Sequence, residues 1–209
     1  GADGAALGAI IISNADQVLF DETVTAVSFT QDTAAATGRT TFDGTVDLSG
    51  AFDFNGQALT LNAALGSGST VEVTNAGTLT TAAAGDITST STFTQNGAGL
   101  SELAGDISTT SSDISFATGI TLTGSVPMTT DTGAGNITFS NTVNGTTAGS
   151  ENLTLTAGTG NIAFDAAVGT ATSNAGRLGA VLINSATDVT VADSAAFKAL
   201  SIEQVAGSG

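Results

Sequence analysis

The chain has 209 residues, enough for one domain with a buried core, and a formal net charge of −16 from 19 acidic and three basic residues. Nucleic acid is excluded as a partner because its binding depends on Lys and Arg contacts to phosphate, and an anionic membrane would repel the chain. The 27 Gly and single Pro, with 41% hydrophobic residues and no Cys, His, Trp or Tyr, are typical of short strands joined by tight turns. No run of about 20 apolar residues occurs, so no transmembrane segment is predicted.

The first predicted element, residues 7–12 (Leu-Gly-Ala-Ile-Ile-Ile), recurs as residues 178–183 (Leu-Gly-Ala-Val-Leu-Ile), which indicates a long internal repeat of about 171 residues. Further matches follow in the same order: Ala15 with Ala186, Val18 with Val189 and, after a slip of about two residues, Gln31 with Gln204. Self-similar chains are usually built from stacked units. We interpret residues 1–209 as a single segment, either a window from a longer repetitive protein or a subunit whose two ends resemble each other.

Shorter repeats lie inside the long one. Residues 84–88 (Ala-Gly-Asp-Ile-Thr) recur at 104–108, and residues 135–139 (Gly-Asn-Ile-Thr-Phe) recur at 160–164. In each, Gly and then Asp or Asn form a corner, and an apolar–small–apolar triplet follows whose outer side chains point the same way. Three such strands with their corners fill roughly 20–30 residues, one turn of a parallel β-helix. We therefore predict an all-β fold, a parallel β-helix or β-solenoid.

Two alternatives to this fold stay open. A sandwich of two antiparallel sheets has the same preference for short strands and tight turns. Residues 193–204, where Ala and Lys cluster, are compatible with a helix, although the matching segment 21–31 has the pattern of a strand.

Residues 135–139, 153–158 and 160–164 resemble the degenerate repeats of large bacterial exoproteins, namely filamentous-haemagglutinin-type adhesins and autotransporter passengers. The resemblance covers most of the chain from about Leu59 onward, together with the N-terminal copy of residues 178–204. It implies a right-handed parallel β-helix, export through an outer membrane, and a role as stalk, adhesin or filament at the bacterial cell surface. It brings no catalytic residues with it.

Catalysis would need a pair of carboxylates of the kind used by polysaccharide-degrading enzymes. Asp43, Asp47 and Asp53 are spaced by four and six positions, which in strands could place them on one face. However, no His, Tyr or Trp is available for acid–base help or sugar stacking, and three basic residues cannot line a cleft for an acidic polysaccharide. We expect no enzymatic activity.

Calcium is the more serious candidate ligand. Asp86 and Asp106 occupy equivalent corners of the shorter repeat, so they could lie about 5 Å apart on adjacent coils, where a cation would relieve their repulsion. Each Asp could instead cap its own turn. These two residues are the candidate ligands of a structural calcium ion, and no other cofactor is expected.

Pairs of Thr two positions apart also recur along the chain. They are Thr23 with Thr25, Thr78 with Thr80, Thr88 with Thr90, Thr121 with Thr123, and Thr154 with Thr156. A flat ice-binding face would need constant intervals, and these vary widely, so ordinary strand propensity explains the pairs better.

The long recurrence favours a structural role. A C-terminal coil shaped like the N-terminal one could continue the hydrogen bonding, and neither residues 2–12 nor 205–209 carry a charged cap of the kind that protects solenoid ends. We expect an extracellular fibre whose partners are copies of itself, head to tail, or adjacent repeats of the same chain. The alternative is an adhesin that binds a cell-surface glycan or receptor. Residues 146–151 are the best candidate for a loop that leaves the solenoid and could carry such a site.

Overall fold

A computed structural model describes residues 6–33, 38–169, 176–193 and 195–205. Twenty-four strands occur in these ranges, and the described residues contain no helix. The first eight strands are β1 (Leu7–Ile12), β2 (Gln17–Phe20), β3 (Val24–Asp32), β4 (Arg39–Phe42), β5 (Val46–Leu48), β6 (Phe52–Gly56), β7 (Ala58–Leu61) and β8 (Leu65–Ser67). The next eight are β9 (Val71–Asn75), β10 (Leu79–Thr81), β11 (Ile87–Ser89), β12 (Phe93–Gln95), β13 (Ser101–Leu103), β14 (Ile107–Thr109), β15 (Ile114–Phe116) and β16 (Ile120–Leu122). The last eight are β17 (Val126–Thr129), β18 (Ile137–Phe139), β19 (Val143–Gly145), β20 (Leu153–Thr156), β21 (Ile162–Phe164), β22 (Leu178–Ser185), β23 (Val189–Val191) and β24 (Ala199–Gln204).

The strands wind into a parallel β-solenoid of about eight turns, each turn passing over three faces. Face 1 stacks the first half of β3 with β5, β8, β11, β14, β17, β20, β22 and β24. Face 2 stacks the second halves of β1 and β3 with β6, β9, β12, β15, β18, β21 and β23. Face 3 stacks β2, β4, β7, β10, β13, β16 and β19, followed by single bridges at Val168 and Phe197.

The register between coils follows the short repeats in the sequence. Ile87 pairs with Ile107, as the recurrence of 84–88 at 104–108 predicts, and Ile137 pairs with Ile162, as the recurrence of 135–139 at 160–164 predicts. Turns differ in length, and the turn from Leu153 to Val181 is much longer than the turn from Val46 to Leu65.

The predicted parallel β-helix is therefore confirmed. The antiparallel sandwich is wrong, because the strand pairs in the described part of the chain are parallel. The helix considered over residues 193–204 is also wrong: β24 forms there, because Ile202 pairs with Val181 along a strand edge.

The core is a set of apolar columns that run along the solenoid axis. Most three-residue strands bury their first and third side chains and turn the middle one outward, as the two-residue period requires. On face 2, Phe116, Phe139 and Phe164 pair in register, with ring centroids 6.0 and 5.0 Å apart. This column stacking lets short strands with few residues each share one continuous core.

Buried amides line the corner that joins face 2 to face 3. Gln95 donates through Nε2 to Oδ1 of Asn75 at 2.7 Å, and Asn75 donates through Nδ2 to the backbone oxygen of Gly77, also at 2.7 Å. Both side chains are at most 1% exposed, so the hydrogen bonds satisfy polar groups that water cannot reach. The Gln95–Asn75 hydrogen bond thereby joins two successive copies of this corner.

Candidate functional site

Among the described strands, the edges of β1 and β24 hydrogen-bond on one side only. β1 pairs with β3, and β24 pairs with β22. Side chains of these two strands that face the core are therefore exposed to solvent. Leu7 is 48% exposed, whereas its partner Ala26 is 1% exposed. Ile202 is 58% exposed, whereas its partner Val181 is fully buried. Each edge thus presents backbone donors and acceptors beside apolar side chains, which is the surface that another coil would cover.

The two edge pairs have the same register in the recurring sequence. Leu7 pairs with Ala26 and Ile12 with Gln31 at one end. At the other end the matching residues pair in the same way, Leu178 with Ala199 and Ile183 with Gln204. The sequence repeat therefore corresponds to a structural repeat, in which the matching residues pair in the same register at both ends.

The slip of two positions in the recurrence has a structural location. The coil from Leu178 to Ala199 is two residues longer than the coil from Leu7 to Ala26. The extra length falls in the corner between Val191 and Phe197, which is two residues longer than the corner between Phe20 and Val24. Strands keep their register because corners take up the difference.

The three carboxylates considered for catalysis lie on different parts of the coil. Asp43 follows β4 of face 3 and accepts a hydrogen bond from Nδ2 of Asn62 at 2.6 Å. Asp47 points outward from β5 on face 1, and Asp53 points outward from β6 on face 2. Successive strands turn through a corner, so the even spacing in sequence does not bring these side chains together.

Asp53 belongs instead to an acidic ladder on face 2. It pairs with Glu72 on the next coil, and Asp32 lies on the coil before. Partial burial, and then repulsion from Glu72 and Asp32, raise the pKa of Asp53 above its ordinary value of 3.8. The sequence did not predict this ladder, because the three acids belong to three different coils. The register pairs Asp53 with Glu72, and it places Asp32, which pairs with Asn55, diagonally across from Asp53.

The calcium candidates do occupy equivalent corners. The backbone N–H of Asp106 donates to Oδ1 of Asp86 at 2.9 Å, which joins the two coils. Partial burial and the charge of Asp86 raise the pKa of Asp106. Within the described residues no group of three or more acidic side chains could hold a metal ion, so calcium binding by this pair stays a prediction.

The excursion at residues 146–151 is a tightly closed loop. Glu151 is 6% exposed and accepts hydrogen bonds from Oγ1 of Thr146 at 2.8 Å and from the backbone N–H of Thr147 at 3.1 Å. Gly149, at φ +80°, donates through its backbone N–H to the oxygen of Arg177 at 2.7 Å. These hydrogen bonds close the loop on itself and join it to the following coil.

Outward hydroxyl groups form columns along the solenoid that their irregular spacing in the sequence did not predict. On face 3, Thr41 pairs with Thr60, and Thr60 pairs with Thr80. The column continues through Glu102 to Thr121. Irregular intervals along the chain therefore do not prevent alignment in space, since coils differ in length. The carboxylate of Glu102 interrupts the row of hydroxyls.

Comparison with known proteins adds no relative. No family model, curated protein or solved structure matches this chain. In the described ranges the structure contains no helix of the length and hydrophobicity needed to cross a membrane.

Proposed function

We propose that this protein is a structural β-solenoid that extends end to end as part of an extracellular fibre. The observation that carries the proposal is the equivalence of the two edge coils, which have matching sequence and matching register. A following coil placed on either edge would complete a parallel ladder and cover apolar side chains. The extracellular location is part of the proposal and is supported by the resemblance to bacterial exoprotein repeats.

The physical argument for extension is that one kind of contact is repeated. Inside the solenoid, a coil buries the inward side chains of its neighbour, as β20 and β24 together bury Val181 of β22. Leu7 is in register with the buried Ala26, and Ile202 is in register with the buried Val181, but no described strand covers either residue on its other side. Covering them removes apolar surface from water, which is the main driving force for association.

Native material tests the proposal directly. Electron microscopy should show rods or fibres, and a denaturing gel decides how they are joined. A band at 20.2 kDa means non-covalent subunits, whereas a much larger band means adjacent repeats on one chain. Isolated globules in the native preparation would contradict the proposal in both forms.

A matched pair of variants tests whether the edge is responsible for assembly of the purified chain. Ile202→Lys places a charge on the open edge, and Leu100→Lys places the same charge on the side of the solenoid, where Leu100 is 56% exposed. Sedimentation velocity should show end-to-end species for the parent and for Leu100→Lys, and their loss for Ile202→Lys. Equal loss in both variants would show that association does not use the edge.

Binding to a glycan or receptor is a second proposal, and the observation that favours it is the closed loop at residues 146–151. A loop held by Glu151 and Arg177 has little conformational entropy to lose on binding. A glycan array probed with the parent chain and with Ala148→Lys, a change at an exposed position of the loop, would test it. Binding that is unaffected by this variant, or no binding at all, would remove the loop as a ligand site.

A further inference from the structure

The recurring segments lie on different faces of the solenoid. Ile10 is on face 2, paired with Phe29, whereas its counterpart Val181 is on face 1, paired with Leu153. The other matched positions shift in the same sense: Val18 is on face 3 and Val189 on face 2, while Val24 is on face 1 and Phe197 on face 3. All three matched strands are therefore displaced by one face.

Counting strands explains this displacement. Along the described part of the chain, with the Val168 bridge counted as the face 3 member of its turn, Val181 lies 23 faces after Ile10. Three faces make one coil, so the sequence period contains seven coils and two further faces. It stops one face short of eight coils.

We propose that each sequence period turns the solenoid surface by one face, so that three successive periods are needed before a given residue returns to the same face. The partner is a further period of this same sequence, and the inference rests on the proposed extension of the solenoid. At about 4.8 Å per coil, one period would advance about 37 Å along the axis.

The register at the C-terminal edge specifies how such a period would sit. β2 pairs with β4 through Leu19 and Thr41, and Thr190 of β23 is the counterpart of Leu19. In an added period, the strand equivalent to β4 therefore pairs with β23, and its Thr41 lies beside Thr190. Without the turn by one face, that strand would stack in the face 3 column, next to Phe197 and Lys198.

Cysteine cross-linking of an extended chain distinguishes these arrangements. The extended chain is the full 209 residues followed by residues 37–209, because Gln204 is the counterpart of Gln31. The natural sequence contains no Cys, so only introduced pairs can form disulfides. One variant pairs Thr190→Cys with Thr41→Cys of the added period, and the other pairs Lys198→Cys with the same residue. Leu19→Cys with Thr41→Cys in the parent chain is the positive control, since these residues are in register.

The expected result is a disulfide for the Thr190 pair that forms at a rate close to the positive control and about tenfold faster than for the Lys198 pair, since Cα atoms more than about 7 Å apart cannot be bridged without backbone movement. Preferential cross-linking of Lys198 would overturn the turn by one face. An extended chain whose circular dichroism per residue shows less β structure than the parent would overturn it too, because the second period would then not continue the coil. Fibres in native material combined with either result would reject the rotation and leave the proposed extension in place.

Discussion

Gly99 lies where two successive corners touch. A Cβ atom at this position would be 1.5 Å from the backbone oxygen of Gly77 on the coil before, so a larger residue must push two coils apart. Here glycine is required by the close approach of backbone to backbone. This requirement applies to the corner. Glycines at open strand positions are not required for the same reason, because a Cβ atom there would not clash with the backbone of the neighbouring coil.

Gly99→Ala should therefore destabilise the protein by about 2–3 kcal/mol, as for other overpacked sites. Gly66→Ala is the matched control, because a Cβ there would be 3.8 Å from its nearest neighbour, an ordinary contact. Urea unfolding followed by circular dichroism measures both midpoints. A midpoint for Gly99→Ala equal to that of the control would mean that the corner relaxes without cost.

The titration of Asp53 makes the stability of the fold depend on pH. Because its pKa is raised in the fold, the folded state holds the proton more tightly than the unfolded state, and stability gains as the pH falls through the raised pKa. Asp53→Asn should stabilise the protein at pH 7 by about 0.5 kcal/mol, a modest value because the side chain is largely exposed.

The control for this prediction is Asp47→Asn, whose register partners Thr25 and Gly66 carry no charge. Thermal unfolding at pH 7 and pH 3 should show the gain from Asp53→Asn at the higher pH only. The same gain at both pH values would assign it to packing instead of charge.

The phenylalanine column on face 2 is the element on which several coils depend together. Phe139 is 1% exposed and stacks between Phe116 and Phe164, so its ring contributes to three coils at once. Its loss leaves a cavity that neighbours on the same rigid strands cannot fill.

Phe139→Ala should lower the stability by about 3–5 kcal/mol, the usual cost of removing a buried ring. The outward neighbour Thr138→Ala should change it by no more than about 0.5 kcal/mol. Denaturant unfolding of both variants provides the comparison. A small effect of Phe139→Ala would mean that the coils unfold independently of this column.

Strands were predictable from the sequence where an apolar–small–apolar triplet follows a glycine corner, as at residues 87–89 and 137–139. The two short repeats, at 84–88 with 104–108 and at 135–139 with 160–164, also predicted the pairing between coils. Other elements were not predictable from local pattern. β3 runs continuously from face 1 to face 2, and the Asn75–Gln95 amide contact joins residues on adjacent coils that carry no shared motif.

Surface features were harder to predict, because they depend on accumulated corner lengths. The acidic ladder around Asp53 and the threonine column from Thr41 to Thr80 form only once each coil has its own length. The displacement by one face has the same origin, since it is a property of all the coils between residues 10 and 181. The calcium candidates are the opposite case, because Asp86 and Asp106 belong to one local repeat and do meet.

At the scale of the whole molecule, net charge sets how rods interact side by side. A charge of −16 keeps neighbouring molecules apart at neutral pH. Lowering the pH toward the isoelectric point near 4.1 removes this repulsion, and the carboxyls of Asp53 and Asp106 take up protons early because their pKa values are raised.

Light scattering should therefore rise between pH 7 and pH 4 as rods associate laterally. Added salt at pH 7 should give a smaller rise, because it screens charge without neutralising it. Constant scattering over this pH range would show that charge repulsion does not control lateral association.

The corners between faces allow changes of length that the strands do not. The corner between Val191 and Phe197 already carries two more residues than its counterpart between Phe20 and Val24, and the strand pairing on either side is preserved. Natural or engineered insertions can therefore lengthen a corner into a loop without changing the rise per coil along the solenoid axis. The size of a corner loop and the length of the solenoid along its axis can thus change independently.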